Sequence, residues 1–146
     1  MRAIAIACAT LVLAACAGGS EVSGDRRVVG NSTVTFTVRP AKAELGRPVR
    51  FQLRITNNSG REDELTFATG QRYDFWVASD TGDLMWRWSD DRVFTQAIET
   101  VAIAPMDTLT LTESWTPDFT GAFRAFGRVE ARGFDRALDG ELVIGG

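Results

Sequence analysis

The run Val49-Arg50-Phe51-Gln52-Leu53-Arg54-Ile55 alternates apolar and polar residues without a break, and Asn57-Asn58-Ser59-Gly60 closes it with turn formers. Successive side chains of a strand point to opposite faces, so this pattern puts one face against a core and the other in water. A helix would scatter the same residues around its circumference. Thr33-Val34-Thr35-Phe36-Thr37-Val38 repeats the period of two and stops before Pro40, and similar short runs follow at 65–68, 72–79, 84–89, 100–104, 108–115, 122–131 and 141–144. Turn formers recur roughly every 8–12 residues, the spacing of an antiparallel sandwich or barrel. Nine phenylalanines and four tryptophans supply bulk for its core. One segment departs from the pattern: Phe94, Ala97, Ile98 and Val101 stand at the i, i+3, i+4, i+7 spacing of a single short helix. The fold class is all-β.

The amino terminus reads as an address. Met1-Arg2 precedes an apolar run from 3 to 15 broken only by Thr10, shorter than the roughly 17–25 residues of a spanning helix. A basic start, a short apolar stretch and small residues before a cut site describe a secretory signal peptide over 1–15. Leu13-Ala14-Ala15-Cys16 resembles the bacterial lipobox, followed by Ala17-Gly18-Gly19-Ser20. The resemblance implies cleavage before Cys16, a diacylglycerol on its sulfur and an acylated amine. Two or more acyl chains, at about 0.8 kcal/mol per buried methylene, hold a protein on a bilayer stably. Residues 16–30 are rich in Gly, Ser and charge and read as a lipidated cysteine plus a flexible tether, with an r.m.s. reach of roughly 20 Å. A single domain over 31–146 follows. The expected location is the cell envelope, lipid-anchored on the extracytoplasmic side.

Cleavage at that site leaves 131 of the 146 residues, with 15 basic against 19 acidic side chains and a net charge of −4. No basic field exists to hold a phosphate backbone, which excludes nucleic acid as a partner. Cys8 leaves with the leader, Cys16 is a thioether, and the chain has no histidine. Ser-His-Asp and Cys-His catalysis need those groups, as do the zinc and copper sites they build. Asp90-Asp91 and Glu62-Asp63-Glu64 lack calcium-loop spacing and read as solvated turns, and Lys42 reads as surface loop. No enzyme, cofactor or metal centre is expected.

The region 72–89 specifies a hairpin. Tyr73, Phe75 and Val77 share one face, Asp74, Trp76 and Ala78 the other. Asp80-Thr81-Gly82-Asp83 makes a loop built on a type I turn, with Gly82 at positive φ, that sets Ser79 opposite Leu84. Val77 then pairs with Trp86 and Phe75 with Trp88, gathering the large apolar groups, while Trp76 meets Arg87 in a cation–π pair. The candidate interaction residues are Tyr73, Asp74, Trp76 and Arg87. Tyr73-Asp74 could form a binding pair, although such a pair is more often a hydrogen-bonded structural corner.

Gly70-Gln71-Arg72-Tyr73-Asp74-Phe75, then Gly82, Trp86-Arg87-Trp88-Ser89 and Phe94-Thr95-Gln96-Ala97 resemble the signature of the bacterial intracellular proteinase inhibitor (BsuPI) family. Phe51-x-Leu53-x-Ile55-x-Asn57 resembles its second strand and Asn-containing turn, and Trp115 and Gly121-Ala122-Phe123 its closing positions. The similarity runs from about 33 to 129. One departure is Pro105-Met106-Asp107, where members place Pro-Gly-Glu. The resemblance implies an immunoglobulin-like sandwich and, as the namesake acts, inhibition of a subtilisin-type serine protease; it assigns no reactive loop. Gly70, Phe75, Gly82, Trp86, Trp88, Phe94, Gln96, Trp115 and Gly121 are its structural signature. The leading expectation is therefore a monomeric, membrane-anchored domain that binds protein and inhibits a serine protease through a loop, with 58–62 and 90–93 as candidates. The rivals are a non-inhibitory assembly module of the envelope and a carbohydrate binder using Trp76.

Overall fold

The computed structural model describes residues 21–146. The signal peptide, Cys16 and the first part of the tether lie outside the described residues. Eleven strands form two packed sheets and a small third one. The first sheet runs in the order β1 (Ser23–Val29), β2 (Ser32–Arg39), β4 (Val49–Asn57), β9 (Thr108–Trp115). The second runs β3 (Lys42–Glu44), β11 (Leu138–Gly145), β10 (Gly121–Val129), β6 (Tyr73–Ser79), β7 (Leu84–Arg87). β5 (Asp63–Phe67) and β8 (Glu99–Ile103) pair separately. All ladders are antiparallel except the three-residue pairing of β3 with β11. This is the all-β sandwich expected from the alternation.

The core forms where inward positions of the two sheets meet. Val49, Phe51, Leu53 and Ile55 of β4 are fully buried, facing Phe75 and Val77 of β6 and Leu142 and Ile144 of β11. Burying each Phe or Leu contributes about 2–3 kcal/mol. Phe51 stacks on Phe75 at 5.7 Å and on Trp86 at 5.5 Å; Trp86 in turn stacks on Trp115 at 5.1 Å. Gly127 of β10 makes room for this cluster: a Cβ there would lie 2.6 Å from the Phe36 ring and 3.2 Å from that of Phe75.

Several expectations change. Ser23–Val29, read as tether, is an edge strand paired along its length with β2. Its charged residues face solvent on an edge, so its period is invisible; pairing with β2 supplies the order. Glu21 O already accepts a hydrogen bond from Ala41 N at 2.7 Å. Only four residues, 17–20, therefore separate Cys16 from the ordered domain, a reach of at most about 18 Å when extended. The expected helix does not form. Phe94 turns onto Trp88, Val101 belongs to β8, and a 3-10 turn at Trp88–Asp91 precedes them. Its apolar spacing serves two packing targets, not one helix face. Lys42 lies in β3 and pairs with Glu21 at 3.0 Å, while Asp63 and Glu64 open β5.

The hairpin keeps Trp76 opposite Arg87 and Val77 opposite Trp86, but a bulge moves Leu84 opposite Ala78 instead of Ser79. Ser79 N donates to Asp83 O and Gly82 N to Ser79 O, closing a shorter loop around Gly82 at φ 90°. The extra residue in β7 absorbs the one-residue difference. Trp88 leaves the ladder for the 3-10 turn and stacks on Tyr73 at 4.6 Å, so it does not face Phe75. Met106, standing where the family places glycine, adopts φ 61°. Only glycine takes that conformation freely; a side chain there costs about 1–2 kcal/mol.

Candidate functional site

The four candidate interaction residues lie on β6 and β7 and divide between the two faces of their sheet. Asp74, Trp76 and Arg87 gather on the outer face. Asp74 is fully buried although its parity points outward. Its Oδ2 accepts from Arg87 Nε at 2.7 Å and Ser89 Oγ at 2.8 Å, and its Oδ1 from Phe75 N at 3.0 Å. Trp76 stacks on Phe126 of β10 at 5.2 Å, with the guanidinium carbons of Arg87 and Arg128 at 5.3 Å and 5.7 Å from its ring. Arg128 also holds Glu130 at 2.7 Å. Internal contacts thus engage both arginines and the indole, and this face is a braced ladder across three strands.

Tyr73 points inward, where its hydroxyl donates to Glu113 Oε1 at 2.6 Å. Desolvation by burial, the hydrogen bond to Glu113 and the charge of Glu113 push its phenol from 10.0 up to about 12, against a smaller lowering by Arg92 and Arg72. The fold therefore favours the neutral phenol. That contribution is complete below pH 10 and is lost as pH rises through about 12. Tyr73 is the chain's single tyrosine, so near-ultraviolet titration reads it alone. The expected result is a transition near pH 12 that Glu113→Gln moves part of the way down; a native protein titrating at pH 10 would contradict it.

Around Trp88 the structure builds a clamp. Its ring lies between Tyr73 at 4.6 Å and Phe94 at 5.7 Å, with the Arg92 guanidinium 4.3 Å from its centre. Its indole Nε1 is buried without a hydrogen-bond partner among the described residues. Arg92 N donates to Ser89 O at 3.2 Å, and Gly70 N to Thr95 O at 2.9 Å. A Cβ on Gly70 would lie 2.5 Å from Thr95 Oγ1, so glycine at 70 lets the two segments close. Arg72 pairs with Glu99 at 3.1 Å beyond the loop. Between these anchors Val93 is 100% exposed.

The second candidate loop, 58–62, hangs on a residue the sequence analysis treated only as a turn former. Asn57 is fully buried. Its Nδ2 donates to Arg61 O at 2.7 Å, Ile103 O at 3.0 Å and Ala104 O at 3.3 Å, and its Oδ1 accepts from Ser59 N and Oγ. The signal was present: Asn57 continues the inward parity of Val49, Phe51, Leu53 and Ile55. Glu113 carries the same signal on β9, at an inward position between Leu111 and Trp115.

The remaining signature residues support these elements. Phe75 and Trp86 form the inner stack, Trp115 extends it to Phe119 at 5.3 Å, and Gly121 opens β10 at φ 141°. Gln96 is exposed and donates to Phe94 O at 3.3 Å. No group of three or more His, Cys, Asp or Glu among the described residues could hold a metal ion.

The family model described as BsuPI, intracellular proteinase inhibitor, matches residues 36–133, 98 of the 146 residues, and the chain belongs to that family. The family is described as one of proteinase inhibitors. No curated protein matches it. Similar solved structures include the CARDB domain of PF1109 from Pyrococcus furiosus, at 17% identity and a TM-score of 0.44 over 78% of this chain and 94% of that one. A β-glucosidase from Listeria innocua in complex with gluconolactone matches at 17% identity and a TM-score of 0.43 over 87% of this chain and 16% of its own. The DNA glycosylase AlkC of Pseudomonas fluorescens matches at 11% identity and a TM-score of 0.45, over 80% and 31%.

Proposed function

We propose that this chain is an extracytoplasmic inhibitor of a subtilisin-type serine protease, anchored to a membrane by lipid on Cys16. The observation that carries the reading is the family match, which spans most of the sandwich and both candidate loops. The lipobox-like Leu13-Ala14-Ala15-Cys16 supplies the anchor.

All the paired strands lie within Ser23–Gly145, so the chain without its first 16 residues keeps the whole domain. Mixed with subtilisin-type proteases, it is expected to abolish peptide hydrolysis near a one-to-one ratio. Undiminished hydrolysis across such a panel would defeat the inhibitor reading. A partner then recovered by crosslinking in the envelope would favour an assembly module. Mass spectrometry of the native protein tests the anchor separately: an unmodified residue 16, or an uncut leader, would refute it.

A further inference from the structure

We infer that the segment Arg92-Val93-Phe94 is the protease-binding strand of this inhibitor, with Val93 as the side chain that enters the protease's primary specificity pocket. The inference rests on the inhibitor reading above and names the contact within it. A serine protease binds its substrate as an extended strand and reads one outward side chain in a pocket beside the nucleophile. An inhibitor must offer the same shape already formed, since each residue ordered on docking weakens binding.

Arg92 is extended, at φ −121° and ψ 147°. The segment between the 3-10 turn and β8 has no ladder of its own; Arg92 N and Phe94 O are held within the loop, and the backbone N–H and C=O of Val93 are left to pair with a cleft. Of the three side chains, two are committed inward. The Arg92 guanidinium covers the Trp88 ring at 4.3 Å, and Phe94 packs on the same ring at 5.7 Å. Val93 alone projects, fully exposed, and its branched Cβ favours the extended backbone. Both flanks are tied, by Arg92 N to Ser89 O and Gly70 N to Thr95 O. The rigid base and the single free apolar side chain fit a pocket that takes a small aliphatic group.

The turn at 58–62 has the opposite character. Ser59 N and Oγ fold back on Asn57 Oδ1, and Arg61 O accepts from Asn57 Nδ2. Its backbone is curled and its residues are polar, so it offers neither a strand nor an apolar plug.

The test measures inhibition constants of the chain without its first 16 residues against subtilisin-type proteases that accept aliphatic side chains. Val93→Asp is expected to weaken inhibition by at least about 100-fold, because the pocket must bury a carboxylate, and Val93→Ala by roughly 10-fold. Arg61→Ser, in the other turn, is expected to change it less than about threefold. Circular dichroism and the thermal midpoint should not move in either Val93 variant, since that side chain touches solvent alone. On long incubation, water adds across the Val93–Phe94 bond, leaving a carboxylate on Val93 and an amine on Phe94, so terminal sequencing should find a new chain starting at Phe94. Val93→Asp inhibiting like the parent, or a cut at another bond of the loop, would overturn the assignment and leave the inhibitor reading intact. A parent chain that inhibits nothing would overturn both.

Discussion

Replacing Asn57 with leucine is expected to destabilise the domain by about 4 kcal/mol and to lower its thermal midpoint by roughly 15 °C. Leucine keeps the branching of the amide but is bulkier, so overpacking at this fully buried position adds to the loss of hydrogen bonds. The polar loss falls mainly on Ile103 O and on Ser59, which gives up an acceptor, because Arg61 O keeps Ser59 Oγ at 2.9 Å and Ala104 O keeps Asp107 N at 3.1 Å. Each buried carbonyl left without a donor costs about 1–3 kcal/mol. Asn57→Asp should do at least as much damage, because it turns a carboxylate oxygen toward those carbonyls. Denaturant unfolding of the two variants measures both effects. A leucine variant within about 1 kcal/mol of the parent would show that water reaches the carbonyls and that Asn57 does not hold the 58–62 turn to the end of β8.

Arg87→Leu is expected to cost about 3 kcal/mol, and the double variant Arg87→Leu with Asp74→Leu to recover most of it. Asp74 has a side chain 1% exposed, so removing the guanidinium at 2.7 Å strands a buried carboxylate that keeps only Ser89 Oγ and Phe75 N. Breaking a buried pair typically costs about 3–5 kcal/mol. Arg87 is itself one-third exposed, which places this case at the lower end. Replacing both partners removes the stranded charge, and apolar groups can fill the space at little net cost. A double-variant cycle reads the coupling directly. Additive losses would mean that the two side chains act independently and that the ladder through Trp76 does not depend on their pairing.

Much of the sandwich is legible in the chain. The alternation of β4 places Phe51, Leu53 and Ile55 in the core, and β9 occupies the predicted 108–115 without a shift. The hairpin pairs Val77 with Trp86 and Trp76 with Arg87 because any slip would mix its faces. What failed was local evidence standing in for distant contacts. β1 has no apolar period, and its order comes from β2 next to it. Phe94, Ala97, Ile98 and Val101 look helical on paper, but Phe94 packs on Trp88, Val101 joins β8, and Ala97 and Ile98 are exposed, so the spacing marks no single buried face.

The candidate site was legible in its residues and illegible in its roles. Trp88, Phe94 and Gly70 appear in the signature, yet their use as a base that leaves Val93 fully outward needs the clamp to be seen. Parity placed Asp74 in water, and only the side chains of Arg87 and Ser89 folding over it bury the carboxylate. Tyr73 and Glu113 are 40 residues apart and meet because β9, the edge of one sheet, packs against β6 of the facing sheet.

Covalent order alone determines the class of fold, the inward parity of each strand, the absence of imidazole and the lipobox-like address. These depend on which residues are present and on a repeat of two, and a chain carries both before it folds. Tertiary structure decides which polar groups lose their water, which loop is curled and which is stretched, and which exposed side chain is left unused. Those outcomes depend on partners tens of residues away, and the cost of burying a polar atom exists only once such a partner has closed over it.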